Sequence, residues 1–146
     1  MKTVEEILER RPLIHATTSD NVRKVAQRMA EENVGAVAVL DSGKLVGVFS
    51  ERDLMTRVVA RGLNPEKTPV QEVMTRSLVV AEPREDVESA LQKMNSQGCR
   101  HLPVVDRGNL IGMISLRDLL QLDDEEAHQK ASFLNELVTY SPDYES

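Results

Sequence analysis

Two stretches of the chain set apolar residues at helical spacing and then switch to continuous apolar runs. Val22, Val25, Ala26 and Met29 fall at i, i+3, i+4 and i+7, one face of an amphipathic helix, and Val87, Ala90, Leu91 and Met94 repeat that spacing. Each helix is followed by an apolar run, 36–40 or 102–105, which reads as a strand ending in an Asp-x-Gly turn, Asp41-Ser42-Gly43 or Asp106-Arg107-Gly108. Returning strands are expected over 45–49 and 110–114, with second helices starting from Ser50 and Ser115. Short apolar segments at 13–16 and 78–81 predict an edge strand before each first helix. Each half therefore reads strand, helix, strand, strand, helix. Val4-Glu5-Glu6-Ile7-Leu8 and Val70-Gln71-Glu72-Val73-Met74 form equivalent lead-in turns, and Gly62, Pro65 and Pro69 mark the linker between halves.

The two halves superpose without a gap at a shift of 65 residues. Val22 falls on Val87, Gln27 on Gln92, Met29 on Met94, Asp41 on Asp106, Gly43 on Gly108, Leu45 on Leu110 and Gly47 on Gly112. The match continues through Ser50/Ser115, Arg52/Arg117, Asp53/Asp118 and Leu54/Leu119. A repeat of this period is one supersecondary unit that buries its apolar face against its copy. Packing accounts for repeated Val and Leu, but not for repeated Ser, Arg and Asp. The expected organisation is a repeat pair over 1–122, with repeats at about 3–61 and 68–121, and an acidic helix and tail over 123–146. In that tail Phe133, Leu134, Leu137 and Val138 make an apolar stripe, and Pro142 lies beyond its end.

Charge and composition narrow the function classes. The chain has 146 residues and a net charge of −6. Seven of its 24 acids lie in 123–146 against one base, Lys130, which leaves 17 acids and 17 of the 18 bases in 1–122. The repeat pair thus has no overall basic excess to draw a nucleic-acid backbone. The first residues, Met1-Lys2-Thr3-Val4-Glu5-Glu6, carry acids where a signal peptide needs an apolar stretch, and the run 34–40 is too short to span a bilayer. A lone Cys99 excludes an internal disulfide framework. A cytoplasmic location without membrane association is expected.

The pattern is similar to that of a tandem CBS-domain pair, or Bateman module. The resemblance rests on Gly47-Val48-Phe49-Ser50-Glu51-Arg52-Asp53 and Gly112-Met113-Ile114-Ser115-Leu116-Arg117-Asp118, on Arg100-His101-Leu102-Pro103-Val104-Val105-Asp106, and on Val73-Met74-Thr75. It covers roughly residues 3–121. It implies an α+β fold of two βαββα repeats about a pseudo-twofold axis, with mixed sheets packed together and helices outside, to which the tail's own pattern adds a C-terminal helix. It also implies clefts that hold adenine nucleotides such as AMP, ADP or ATP, or in other members S-adenosylmethionine or NAD-type ligands. The role implied is regulatory and non-enzymatic: a stand-alone sensor, homodimeric, acting on a partner protein in trans.

The side chains fit that chemistry. The carboxylate of Asp53 or Asp118 can accept from both hydroxyls of a ribose. A hydroxyl and free amides at a helix start suit a phosphate, and Arg52 or Arg117 can make paired hydrogen bonds to it. In the family, the positions of Arg100 and His101 face the phosphate, and residues around Leu102 and Pro103 line the adenine slot. The nucleotide-binding set is therefore Ser50, Arg52 and Asp53 in one repeat and Ser115, Arg117 and Asp118 with Arg100, His101, Leu102 and Pro103 in the other. A purely structural account competes with it. Ser-x-x-Asp at a helix start is a capping box, worth about 1 kcal/mol. Capping alone gives no reason for an Arg in the first turn, where a cation opposes the helix dipole, and the two roles are compatible.

The halves differ where it matters for a ligand. Gly35-Ala36-Val37-Ala38 stands where the second half has Arg100-His101-Leu102-Pro103, which predicts two unequal sites with the second repeat's the better. Catalytic and metal signals are lacking: there is no Walker loop, no EF-hand spacing and no Cys-x-x-Cys. His15 and His128 stand singly. Cys99 precedes Arg100 and His101, which leaves open a thiol activated by positive charge or a small buried side chain. A scaffold protein working through its acidic, apolar-striped tail is the alternative function, and a ligand without adenine is a third.

Overall fold

A computed structural model of the chain describes residues 2–8 and 13–119. Along it run α1 (Val4–Leu8), β1 (His15–Thr17), α2 (Val22–Glu32), β2 (Ala36–Asp41), β3 (Lys44–Ser50) and α3 (Glu51–Asp53), which continues as a π-helical turn (Leu54–Val59). A 3-10 turn (Val70–Glu72) precedes α4 (Val87–Gln97), β4 (His101–Asp106), β5 (Asn109–Ser115) and α5 (Leu116–Leu119). The fold is mixed α+β, and the sequence repeat is a structural one. Val22 and Val87, Ala36 and His101, and Lys44 and Asn109 open equivalent elements 65 residues apart. The helix expected over the C-terminal tail lies outside the described residues.

Matched local chemistry fixes these bounds. Asn21 caps α2 by accepting the Lys24 amide at 2.8 Å, and Asp86 caps α4 by accepting the Ser89 amide at 2.7 Å. Both helices end in a left-handed residue, Asn33 and Gly98. The Asp-x-Gly turns take positive φ at both central positions, Ser42-Gly43 and Arg107-Gly108, the type I′ geometry that suits the twist of a hairpin.

The described chain forms two compact units, one of residues 13–78 and 107–111, the other of 2–8, 79–106 and 112–119. In the first, β2 pairs antiparallel with β3 and parallel with β1. Val22, Val25 and Met29 of α2 pack there with Val37, Val39 and Phe49. The linker closes over the start of α2, where the Val22 and Arg23 amides donate to Thr68 O at 2.9 Å and Pro65 O at 3.0 Å. These amides have no partner inside the helix, so the linker satisfies groups that would otherwise need water.

In the second unit β4 and β5 pair, and the expected edge strand shrinks to a single parallel bridge, Ala81 to Val104. Two prolines explain the loss. The β1 pairing runs from His15–Ala38 to Thr17–Leu40, and the Thr18 amide extends it to Leu40 O at 3.2 Å. Pro103 stands at the position of Ala38 and Pro83 at that of Thr18, so the ladder lacks an N–H at each end. Its middle survives, with Ala81 N donating to Pro103 O and Val105 N to Ala81 O, both at 2.9 Å.

Each lead-in segment packs in the unit of the other repeat. Val4 is wholly buried in the second unit, and its amide donates to Glu85 O at 2.9 Å. Val70 is wholly buried in the first, and its amide donates to Asp20 O at 2.8 Å. This exchange explains a repeated glycine. A Cβ on Gly47 would stand 2.5 Å from Met74 Sδ, and one on Gly112 2.6 Å from Leu8 Cδ2. Both strands leave that space to the incoming lead-in side chain.

An acid–base motif precedes each first helix. The Asp20 carboxylate accepts the Thr17 amide at 3.0 Å with Lys24 Nζ at 3.5 Å, and Glu85 accepts the Glu82 amide at 3.0 Å and Lys93 Nζ at 2.8 Å. Burial pushes both carboxyls up, but for Glu85 the bonds from Lys93, Ser89 and Glu82 prevail and hold its pKa below the ordinary value. For Asp20, the Thr17 bond and the Lys24 charge do the same.

Candidate functional site

In the first unit Ser50 closes β3 in extended conformation and starts α3. Its hydroxyl accepts the Asp53 amide at 3.1 Å, and the Asp53 carboxylate accepts the Ser50 amide at 3.1 Å. The capping box is therefore complete. The Ser50 hydroxyl also donates to Asp53 Oδ2 at 3.1 Å. Asp53 is only 6% exposed and gathers two further partners. The Thr75 hydroxyl stands 3.1 Å from Oδ1 and 3.2 Å from Oδ2, and Arg57 Nε lies 3.6 Å from Oδ1. Arg57 Nη1 donates to Met74 O at 2.8 Å, and Thr75 exchanges backbone hydrogen bonds with Val48 at 2.8 and 3.0 Å.

In the second unit Ser115 closes β5 and the same reciprocal pair forms, Ser115 N to Asp118 Oδ2 at 2.7 Å and Asp118 N to Ser115 Oγ at 3.1 Å. Asp118 is as buried as Asp53, while Arg117 is exposed and Arg52 half-buried. The Leu116 amide donates to Arg100 O at 2.8 Å, which brings the start of β4 to this turn. Arg100 and His101 are half-buried there, and Pro103 is buried. Leu102 is wholly buried in the core cluster with Leu91, Met94 and Ile114.

The capping account is thus realised in both repeats, and it corrects one expectation. Two amides of each first turn are not left open for a phosphate: Glu51 N donates to Gly35 O at 2.9 Å, Leu116 N to Arg100 O, and Asp53 N and Asp118 N to the serine hydroxyls. Arg52 and Arg117 lie in these turns, and Arg100 and His101 lie where β4 begins beside the second one. Thr75 and Arg57 had no place in the sequence-derived set. Arg57 carries an i,i+4 signal to Asp53, whereas Thr75 lies 22 residues away and no periodicity links it. Cys99 is half-buried against the second core, and burial raises its thiol pKa, which argues against a thiol activated by positive charge.

The duplicated turn has counterparts in known proteins. The CBS domain model matches twice, at residues 4–60 and 70–125. The chain belongs to the CBS-domain family. It is 40% identical over 116 residues to the CBS domain-containing protein YhcV of Bacillus subtilis (strain 168), across 77% of this chain and 82% of that one. Among solved structures of CBS-domain proteins, PAE2072 from Pyrobaculum aerophilum, complexed with AMP, is similar at 28% identity with a TM-score of 0.77, covering 94% of this chain and 99% of that one. The CBS domain pair of protein MJ0100, in complex with 5′-methylthioadenosine and S-adenosyl-L-methionine, is similar at 27% identity with a TM-score of 0.72, covering 80% and 91%. Among the described residues no helix is long and apolar enough to cross a membrane.

Proposed function

We propose that this chain is a cytoplasmic regulatory sensor that binds an adenine nucleotide of the AMP, ADP or ATP type and modulates a partner protein. The observation that carries this reading is the duplicated Ser-x-Arg-Asp turn, held in the same capping geometry at Ser50 and Ser115. Relatives with complexed adenosyl compounds point the same way. Asp53 and Asp118 would accept the ribose hydroxyls, and Ser50, Arg52, Ser115 and Arg117 would orient the phosphate. Arg100 adds positive charge, and Arg100 and His101 add hydrogen-bond donors, to the second repeat's turn. Pro103 and the backbone around Leu102 would bound the base. A charge-assisted hydrogen bond contributes about 1.5–3 kcal/mol, so the second repeat would hold the ligand at least tenfold more tightly. The chain performs no chemistry of its own in this account and acts as a homodimer.

A thermal-unfolding screen against AMP, ADP, ATP, NAD(H) and S-adenosylmethionine tests it, run on the wild type and on Asp118→Ala. A ligand at 100 times its dissociation constant stabilises the fold by about 2.7 kcal/mol, a shift of several degrees in a protein of this size. The expected result is a shift with an adenine nucleotide that falls sharply in Asp118→Ala. No shift with any of the five overturns the reading in favour of a scaffold.

A further inference from the structure

The Asp53 carboxylate is crowded by its own protein. Its Oδ2 accepts the amide and the hydroxyl of Ser50, the Thr75 hydroxyl reaches both oxygens, and Arg57 Nε faces Oδ1. A carboxylate offers about four acceptor positions. Three hydrogen bonds and an ion pair leave at most one, on the Arg57 side. Asp53 is 6% exposed, so it cannot gain a position by swinging into solvent.

A ribose brings two hydroxyl donors. The Ser50 donors are part of the helix start, because the Asp53 amide bonds back to Ser50 Oγ at 3.1 Å. Arg57 is anchored elsewhere, on Met74 O. Of the two hydroxyls on Asp53, the Ser50 oxygen is held in place by the Asp53 amide, whereas the Thr75 side chain can swing away whole at no cost to the backbone, since its amide and carbonyl stay paired with Val48. We infer that Thr75 is a built-in competitor for the ligand diol at Asp53 and sets the affinity of the first repeat's site. This rests on the reading of Asp53 as a ribose-binding carboxylate. In the second repeat the 65-residue register puts Leu122, which carries no donor, at the position of Arg57.

The test is AMP titration calorimetry on the full chain carrying Asp118→Ala, which isolates the first site, with Asp118→Asn as a second background should the first fold poorly. Thr75→Val should tighten AMP binding by about fivefold or more, and Thr75→Ser, which keeps the hydroxyl, should bind as Thr75 does. Binding that depends on Asp53 but weakens or stays unchanged in Thr75→Val overturns the inference alone. Absence of AMP binding to the wild type and to both backgrounds overturns the nucleotide reading, and the inference with it.

Discussion

The two repeats close their second hairpin strand on the same Ser-x-Arg-Asp turn and differ in what surrounds it. Around Asp53 stand Arg57 and Thr75, both supplied within the first unit, and Gly35 and Ala36 lead into the preceding strand. Around the second turn Arg100 and His101 occupy the places of Gly35 and Ala36. Capping geometry, hairpin turns and the glycine that admits the exchanged lead-in are kept in both copies. The duplication has therefore preserved what holds the turn and varied what a ligand would meet.

The shared part is tested by filling the space at the glycines. Gly47→Ala brings a Cβ to 2.5 Å from Met74 Sδ, and Gly112→Ala one to 2.6 Å from Leu8 Cδ2. Each should lower stability by about 1–3 kcal/mol in denaturant unfolding. Adding Met74→Ala to Gly47→Ala should recover part of that loss. No loss in either single variant would show that the lead-in exchange does not constrain the strand.

A smaller effect separates the acid–base motifs. Both Asp20 and Glu85 have folded pKa values below their ordinary ones, so each contributes stability that is full above the unfolded pKa and is lost as pH falls through the folded value. For Glu85 that window opens downward from about 4.5. Lys93 meets Glu85 at 2.8 Å, and the 59% exposed Lys24 meets Asp20 at 3.5 Å. Glu85→Gln should therefore flatten the acid fall in melting temperature more than Asp20→Asn does. Equal effects would erase this difference between the repeats.

The smallest effect concerns the missing edge strand. Pro83→Ala restores the N–H that Thr18 supplies in the first repeat. Its amide should become protected in hydrogen exchange while global stability changes by less than about 1 kcal/mol. An unprotected amide would assign the short strand to a cause other than proline.

Helical periodicity and the Asp-x-Gly turns made α2, α4 and the hairpins legible, because those signals are local. The edge strand over 78–81 was not legible from apolarity alone. What decides it is which face of the ladder Pro83 and Pro103 present, and that depends on pairing with a distant strand. The serine and aspartate of each turn were legible as a unit, since their reciprocal bonds span three residues. The filled amides were not, because their acceptors, Gly35 and Arg100, come from the residues that lead into β2 and β4. Thr75 belongs to the Val73-Met74-Thr75 segment that carries the resemblance, but its hydroxyl gains meaning only when the linker folds back onto β3.

Calorimetric AMP binding to the wild type, Asp53→Ala and Asp118→Ala tests the central claim most directly. The account predicts a tighter and a weaker phase in the wild type, with Asp118→Ala removing the tighter and Asp53→Ala the weaker. Unchanged binding in both variants, or loss of the tighter phase in Asp53→Ala, would contradict it.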